Sequence, residues 1–248
     1  MKKFIRQKAK SIILKFFSLK QYLKWVDRNK GEFKPGGNQI NQDIFLKFLS
    51  NDKTRVSFVQ IGANDGVNND PVHVFIKKYN WKGILVEPLP ELMESLKKAY
   101  TGTHDLIFEN VGIAGQSGAM DFYFLPPEYN EPSWLQQIGT FDKDAIALNL
   151  ANFPHLLDKV QKKQIKTVTL KELLDKNKMF KTDLLIIDAE GFEYKILSQL
   201  DQIAEKPLFI LFEWGCLNET EQEKLFQFLK KQNYRLYSSG GDILAVLN

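Results

Sequence analysis

The stretch FVQIGANDG, residues 58–66, combines the residue types that hold small ligands at the end of a strand. Its apolar run ends in Gly62, Asn64, Asp65 and Gly66, which is typical of a strand that opens into a tight turn. Such a turn brings a ligand close to bare backbone. Phosphate groups, nicotinamide dinucleotides and S-adenosylmethionine all bind at such turns, so the turn by itself leaves three ligand classes open.

The residues that the turn lacks separate these ligands. A phosphate loop needs Gly-Lys-Ser or Gly-Lys-Thr after Gly66, and this is absent. The dinucleotide fingerprint would align its glycines with Gly62, Asn64 and Val67, so two of them are missing, and Asp65 would bring negative charge to the pyrophosphate. S-adenosylmethionine has no phosphate, and its cationic groups tolerate an acidic turn. The turn therefore favours S-adenosylmethionine, with five candidate contacts: Gln60, Gly62, Asn64, Asp65 and Gly66.

Glu87 is the second marker, because it ends the next apolar run, GILVE. A carboxylate there can accept hydrogen bonds from two ribose hydroxyls, which both dinucleotide and S-adenosylmethionine sites require. An isolated acid after a strand is more often a helix cap, so the prediction depends on two markers at successive strand ends. The following run ends in FENVG, where Glu109 or Asn110 is a candidate contact for adenine.

The elements that must position these residues follow from the periodicity of the chain. From residue 55 onward short apolar runs alternate with helical patterns, which predicts an α/β fold with a mostly parallel sheet and helices on both faces. Residues 234–247 predict a closing hairpin with one antiparallel strand, and residues 127–165 read as irregular with helical pieces. Ligands bind outside the carboxyl ends of such strands. The predicted parallel strands lie in residues 55–62, 82–88, 105–113, 182–191 and 206–214.

Six segments in this order resemble the FkbM-type S-adenosylmethionine-dependent methyltransferases, over roughly residues 56–248. They are FVQIGANDG, GILVEPLPELMESLKKAY, ENVGIAG, VTLKELL, DLLIIDAEGFEYKIL and LFEWGCLNETE. The most specific one matches the family signature Asp-x-Glu-Gly-x-Glu/Asp at Asp188, Glu190, Gly191 and Glu193. The resemblance implies a class I methyltransferase (Rossmann-like) fold and O-methylation, often of sugars or secondary metabolites.

Two departures from the family pattern concern the residue that handles the proton. Many members carry Lys directly before the signature Asp, where this chain has Ile187. Related sequences often have His near position 149, where this chain has Asn149. The resemblance therefore leaves the proton acceptor open.

Carboxylates at the far strand ends are the candidates for this role, because a hydroxyl acceptor must lose a proton during methyl transfer. We expect Asp188 to act as base or acceptor anchor, with Glu190 as a second catalytic candidate. Glu213 ends the next predicted strand and should lie beside Asp188, and Asp242 of the hairpin is a further candidate for the acceptor side. Converging carboxylates could instead hold a divalent cation, which we favour less.

The net charge of +4 is unevenly distributed. Residues 1–34 hold eleven Lys or Arg against Asp27 and Glu32, and apolar residues recur there at helical spacing. This predicts a basic amphipathic helix that either packs on the body or lies on an anionic membrane surface, and nucleic acid is disfavoured as a partner. With its linker the helix spans residues 1–37, and residues 38–248 form the predicted methyltransferase domain.

The leading hypothesis is an S-adenosylmethionine-dependent O-methyltransferase that acts on a hydroxyl of a glycan or related metabolite. The alternatives are a nucleotide-dependent oxidoreductase and a non-catalytic, membrane-associated adapter on a methyltransferase scaffold. A single cysteine, Cys216, excludes an internal disulfide framework and suits a reducing compartment. We therefore expect a cytoplasmic protein, with peripheral association at the inner face of the membrane as an open alternative.

Overall fold

The computed structural model describes residues 18–248. The first half of the predicted amphipathic helix, residues 1–17, lies outside this described part. Ten strands lie in the described part: β1 (Ser57–Ile61), β2 (Lys82–Val86), β3 (Leu106–Glu109), β4 (Gly112–Ile113), β5 (Gly118–Phe124), β6 (Gln161–Val168), β7 (Leu184–Ile187), β8 (Phe209–Glu213), β9 (Tyr234–Ser239) and β10 (Asp242–Leu247).

Eight α-helices lie within residues 18–248, two of them before β1 and the others between strands. They are α1 (Leu19–Asn29), α2 (Gln42–Asp52), α3 (His73–Tyr79), α4 (Pro90–Ala99), α5 (Lys143–Asn149), α6 (Leu170–Lys176), α7 (Glu193–Leu197) and α8 (Glu219–Lys231). Two short 3₁₀ helices, Ser133–Gln136 and Pro154–Lys159, lie on either side of α5.

The main sheet has seven strands in the order β3-β2-β1-β7-β8-β10-β9. Strands β1, β2, β3, β7 and β8 pair in parallel, whereas β10 runs antiparallel between β8 and β9. This confirms the predicted closing hairpin and its single antiparallel strand, and it places that strand inside the sheet rather than at its edge. The reversal of strand order at β1 and β7 creates a crevice at the carboxyl ends of these strands, where ligands bind in such folds.

Helices cover both faces of the sheet, because successive residues of each strand point to opposite sides. Val59 and Ile187 pack into a cluster with apolar residues of α6, α7 and α8. Phe58 and Ile186, one position away, pack into a second cluster with α1, α2, α3 and α4. The predicted fold class, an α/β class I methyltransferase fold with a mostly parallel sheet, is confirmed.

A second sheet, in the order β4-β6-β5, was only partly predicted. The run 105–113 is not one strand, because β3 ends at Glu109 and the chain turns before β4 joins the other sheet. Strand β6 lies where the sequence reads as irregular, since QKKQIKTV offers only Ile165 and Thr167 as buried positions. A strand with so few apolar residues gives little periodic signal.

Helix α1 packs on the body of the protein. Tyr22 and Val26 are buried in the cluster on that side of the sheet. Beside them, the Asp27 carboxylate accepts a hydrogen bond of 2.6 Å from Arg235 and one of 2.8 Å from the Tyr237 hydroxyl. The described part of the basic segment is therefore a packed helix joined to β9.

The membrane interpretation now concerns residues 1–17, which lie outside the described part. Between residues 18 and 248, the structure contains no helix that is both long and apolar enough to cross a membrane. The predicted linker 34–37 forms a turn in which the Gly37 N–H donates to the Lys34 carbonyl at 3.1 Å. A domain boundary at residue 37 stays a prediction.

Candidate functional site

Three carboxylates form a row across neighbouring strands at the edge of the main sheet. Strands β7 and β8 pair Ile187 with Phe212, so the next residues, Asp188 and Glu213, lie side by side. Glu213 in turn pairs with Asp242 at the start of the antiparallel β10. By alternation all three side chains lie on the face covered by α1–α4. The predicted adjacency of Asp188 and Glu213 is confirmed, and the structure adds Asp242 to them.

A cavity of about 210 Å³ opens at these strand ends. Strand β5 and the chain that follows it supply aromatic side chains to the lining, among them Phe122, Phe124 and Phe141. Among the described residues that line the cavity, none is Lys, Arg or His. The polar lining includes the backbone of Gly62 and the side chains of Gln60, Asn64, Asp70, Glu87, Asp188, Glu213 and Asp242.

The turn after β1 requires glycine at position 62, because the backbone at the end of β7 lies directly against it. Gly62 has φ +79°, and a Cβ on it would lie 1.7 Å from the carbonyl oxygen of Asp188. Gly66 serves packing instead, because a Cβ there would lie 2.5 Å from Leu96 of α4. Gly62 therefore allows the close approach of the Asp188 backbone and also lines the cavity, whereas Gly66 is not among the lining residues.

Glu87, at the end of β2, is 4% exposed. Its Oε1 accepts the Leu89 N–H at 2.8 Å and its Oε2 accepts the Asn64 N–H at 2.9 Å. Burial raises the pKa of this carboxyl to about 7, against the smaller lowering by the two N–H groups. These bonds fix the orientation of the carboxylate, and each oxygen keeps a further lone pair for a ligand hydroxyl.

Gln60 and Asp70 lie beside each other on the same cavity. Gln60 is 3% exposed, and its Oε1 has no hydrogen-bond partner in the described part of the chain. Its Nε2 lies 3.4 Å from Oδ2 of Asp70. Asp70 was not predicted, because an acid before a helical pattern reads as an ordinary cap. Its carboxylate does accept the N–H groups at the start of α3.

The acids of the row hold their protons more tightly than exposed acids do. Burial first, then the charges of Glu213 and Asp242, raise the pKa of Asp188 to about 7. Burial raises the pKa of Asp242 to about 6, and burial and Asp242 raise that of Glu213. Asp188 can therefore accept or release a proton near neutral pH.

Glu190 lies behind the row and not among the residues that line the cavity. It has φ +49°, and its Oε2 accepts a hydrogen bond of 2.7 Å from Asn149 and one of 3.4 Å from the Cys216 thiol. Burial, then the charge of Asp188, raise the pKa of Glu190 well above its usual value. Asn149 is thus a hydrogen-bond partner of Glu190.

Among the residues that the structure describes, two groups of side chains are close enough to hold a cation. The ligand atoms of Glu190, Glu213 and Cys216 lie within 4.8 Å of one another, and so do those of Asp188, Glu193 and Glu213. Glu193 is fully buried and accepts the Ala189 and Gly191 N–H groups at 2.7 and 3.0 Å, so its oxygens already bind the turn that precedes α7. Glu213 belongs to both groups.

Three further predicted cofactor residues do not line the cavity. Oδ1 of Asp65 accepts two N–H groups of its own loop, both at 2.9 Å. Glu109 accepts hydrogen bonds from Lys176 at 2.7 Å and Asn177 at 2.8 Å. Asn110 donates to the Glu87 carbonyl at 2.8 Å. The structure therefore engages these side chains elsewhere, and their cofactor roles stay predictions without a contact to support them.

Comparison with known proteins identifies a family. The sequence profile of the family described as "Methyltransferase FkbM domain" matches residues 60–236, most of the chain. The comparison with curated protein sequences found no significant match.

Several solved structures are similar. One is the methyltransferase FkbM from Methylobacillus flagellatus KT, with 13% identity, a TM-score of 0.49, and coverage of 78% of this chain and 44% of that one. Another is the METTL16 MTase domain, with 10% identity, a TM-score of 0.46, and coverage of 83% and 66%. A third is the ribosomal protein L11 methylase from Lactobacillus delbrueckii subsp. bulgaricus, with 12% identity, a TM-score of 0.40, and coverage of 82% and 77%. This chain spans less than half the length of the first of these proteins.

Proposed function

Because the chain belongs to the family of FkbM methyltransferase domains, we propose that it transfers a methyl group from S-adenosylmethionine to a hydroxyl of a glycan or related metabolite. The predicted family is confirmed, and membership in it supports methyltransferase activity. The cofactor, the acceptor and the residue roles below are our proposals.

The proposed cofactor rests mainly on the position of Glu87. It is a buried carboxylate at the end of β2, held by the N–H of Asn64 from the neighbouring glycine turn. A carboxylate in this place can accept hydrogen bonds from the two hydroxyls of a ribose, while the turn at Gly62 admits the rest of the ligand against backbone. The unpartnered Oε1 of Gln60 on the same cavity supports a ligand that donates hydrogen bonds.

Asp188 is the residue that we assign to the acceptor. When bound, S-adenosylmethionine supplies the reactive methyl group, and the protein must align the acceptor hydroxyl and take up its proton. Asp188 lines the cavity with a pKa raised to about 7, so its carboxylate can receive that proton near neutral pH. Glu213 and Asp242, next to it, are placed to orient further hydroxyls of the acceptor.

The charge of the cavity supports an acceptor without phosphate or carboxylate groups. The described lining contains acids and amides but no Lys, Arg or His. An anionic acceptor would meet several carboxylates and no cation, which costs free energy in a partly buried site. A neutral, hydroxyl-rich molecule such as a glycan can instead donate hydrogen bonds to these acids. Nucleic acid, with its phosphates, is disfavoured for the same reason.

The test has two steps. Calorimetry with S-adenosylhomocysteine and with NAD and NADP should show binding of the first ligand only. The protein and S-adenosylmethionine labelled in the methyl group are then incubated with glycan and metabolite fractions, and alkali-stable label on a hydroxyl is the expected product. Asp188→Asn serves as the low-activity control. Binding of a nicotinamide dinucleotide without S-adenosylhomocysteine, or label found only on nitrogen or as an alkali-labile ester, would contradict the proposal.

A further inference from the structure

The side chain of Gln137 joins two segments that line the cavity. Its Oε1 accepts a hydrogen bond of 2.8 Å from Nδ2 of Asn69, and its Nε2 donates one of 2.9 Å to the Asn68 carbonyl. The two asparagines lie in the loop between β1 and α3, and Gln137 lies in the chain between β5 and α5. All three residues line the cavity, so these two bonds, which we call the clasp, tie together two parts of its lining.

Gln137 is firmly supported by its surroundings. The nearby Leu135 and Ile138 are 1% and 2% exposed and belong to an apolar core with residues of α5. Further along the chain, Thr140 exchanges backbone hydrogen bonds of 2.8 and 2.9 Å with Tyr123 of β5. The side of the clasp that Gln137 supplies is therefore fixed.

The other side is a flap, residues 67–69, all of which are exposed. Its two ends are fixed, because a Cβ on Gly66 would lie 2.5 Å from Leu96 and because Asp70 accepts the N–H groups at the start of α3. Asp65 binds the flap from within the same loop. Between residues 18 and 248, the hydrogen bonds that join the flap to a distant segment are the two of the clasp. The flap is therefore free to move once the clasp breaks.

The cavity is too small for the ligands that the proposed function requires. Its volume is about 210 Å³, whereas pockets that bury a ligand of drug size measure about 300–1,000 Å³. S-adenosylmethionine is of that size, and the acceptor must enter the same cavity to reach its methyl group. Part of the lining must therefore move outward when the ligands bind. The strand ends of the lining are packed in the core, whereas the flap is exposed, so the flap moves at the lowest cost.

We propose that the flap and Gln137 form a gate, which the clasp closes in the ligand-free protein and which S-adenosylmethionine opens when it binds. This inference rests on the proposed function. Binding then breaks both hydrogen bonds of the clasp, and the apparent affinity is reduced because only molecules with an open gate are competent to bind. A substitution that removes the clasp should therefore strengthen binding, whereas the loss of an ordinary ligand contact weakens it.

The test measures S-adenosylhomocysteine binding by calorimetry and by stopped-flow fluorescence. Gln137→Ala removes both hydrogen bonds of the clasp. The dissociation constant of this variant should fall roughly 5- to 10-fold, the worth of two exposed neutral hydrogen bonds. The fall should lie in faster association, with the dissociation rate constant within about twofold of wild type.

Two further variants complete the test. Asn69→Gly removes one bond of the clasp and keeps a backbone that tolerates the φ of +56° at this position, so its dissociation constant should fall by roughly 2- to 4-fold. Gln202→Ala, at an exposed glutamine outside the cavity lining, is the matched control and should bind as wild type does. Circular dichroism shows whether each variant is folded, and Asn69→Gly decides the test if Gln137→Ala is not.

Four outcomes would overturn the inference. If the clasp variants bind S-adenosylhomocysteine more weakly, Gln137 contacts the ligand and does not close a gate. If both rate constants stay within twofold of wild type, the clasp does not control entry. If both rise equally, the clasp is also closed in the complex, which contradicts opening by the ligand. In these three cases the proposed function survives, whereas wild-type protein that does not bind S-adenosylhomocysteine would refute both.

Discussion

Substitution of Glu87 by Gln should weaken cofactor binding while keeping the shape of the side chain. The wild-type carboxylate accepts two backbone N–H groups, at 2.8 and 2.9 Å, and in our proposal two ribose hydroxyls. Gln has one acceptor oxygen, so its NH₂ group must face either the Leu89 or the Asn64 N–H. The loss of that buried hydrogen bond should lower the free energy of unfolding by about 1–3 kcal/mol.

The effect on the ligand follows from the change in charge. A hydrogen bond to a charged group contributes about 1.5–3 kcal/mol and a neutral one about 0.5–1.5 kcal/mol. For two hydroxyls the difference is about 2–3 kcal/mol, which raises the dissociation constant of S-adenosylhomocysteine roughly 30- to 150-fold. Because the pKa of Glu87 is raised to about 7 and the hydroxyls favour its ionised form, wild-type affinity should increase as the pH rises from 6 to 8.

Calorimetry of wild-type and variant protein between pH 6 and pH 8 measures both effects. The part of the pH dependence that belongs to Glu87 should disappear in Glu87→Gln. Glu91→Gln, which alters an exposed acid paired with Lys163 at 2.8 Å, is the control and should behave as wild type. If Glu87→Gln is folded and binds S-adenosylhomocysteine within twofold of wild type at pH 8, Glu87 does not bind the ribose.

Four further predictions concern other parts of the molecule. Asp188→Asn should reduce turnover by roughly 10²–10⁴-fold with S-adenosylhomocysteine affinity within about twofold, and a loss of affinity in the folded variant would place Asp188 on the cofactor side. Gly62→Ala should lower the free energy of unfolding by at least about 2 kcal/mol, because the added Cβ would clash with the backbone of Asp188. Gly102→Ala, at φ +80° in open space, should lower it by only about 1 kcal/mol through backbone strain. Equal losses of the two variants in chemical denaturation would refute the clash. Ligand-free protein should become less stable as the pH rises from about 4.5 to about 8. The reason is that burial raises the folded-state pKa of Asp188 to about 7 and that of Glu193 to about 8. Thermal unfolding that shows the opposite trend would contradict this prediction. Deletion of residues 1–17, which contain six Lys or Arg and no acid, should abolish sedimentation with anionic vesicles and leave the fold intact; unchanged sedimentation would remove the membrane hypothesis.

The sequence predicts most of the main sheet, because each strand there is a short apolar run that alternates with a helical pattern. The same regularity predicts that Asp188 and Glu213 lie side by side, since the carboxyl ends of neighbouring parallel strands meet at one edge. The capping box at α6 is also readable, and Thr169 and Glu172 form it in the structure.

The parts that were not predicted depend on contacts between distant segments. Strand β6 pairs with β5 through backbone, and its lysines and glutamines carry no apolar pattern. Asp70 reads as a helix cap, and only the folded chain brings its Oδ2 within 3.4 Å of Nε2 of Gln60. Glu109 ends β3 much as Glu87 follows β2, but its carboxylate accepts hydrogen bonds from Lys176 and Asn177, whereas Glu87 lines the cavity.

The aromatic side chains of the cavity lining connect the strand ends to a separate small core. Phe122, Phe124 and Phe141 pack with Leu89, which lies two residues after Glu87. Behind them, Leu125 and Leu135 pack with residues of α5 and the second 3₁₀ helix in a core of their own. Substitutions in that rear core should therefore have small effects on the strands β1, β2 and β7. For engineering, this division makes the rear core the natural part to redesign, with Phe122, Phe124 and Phe141 kept as its connection to the cavity.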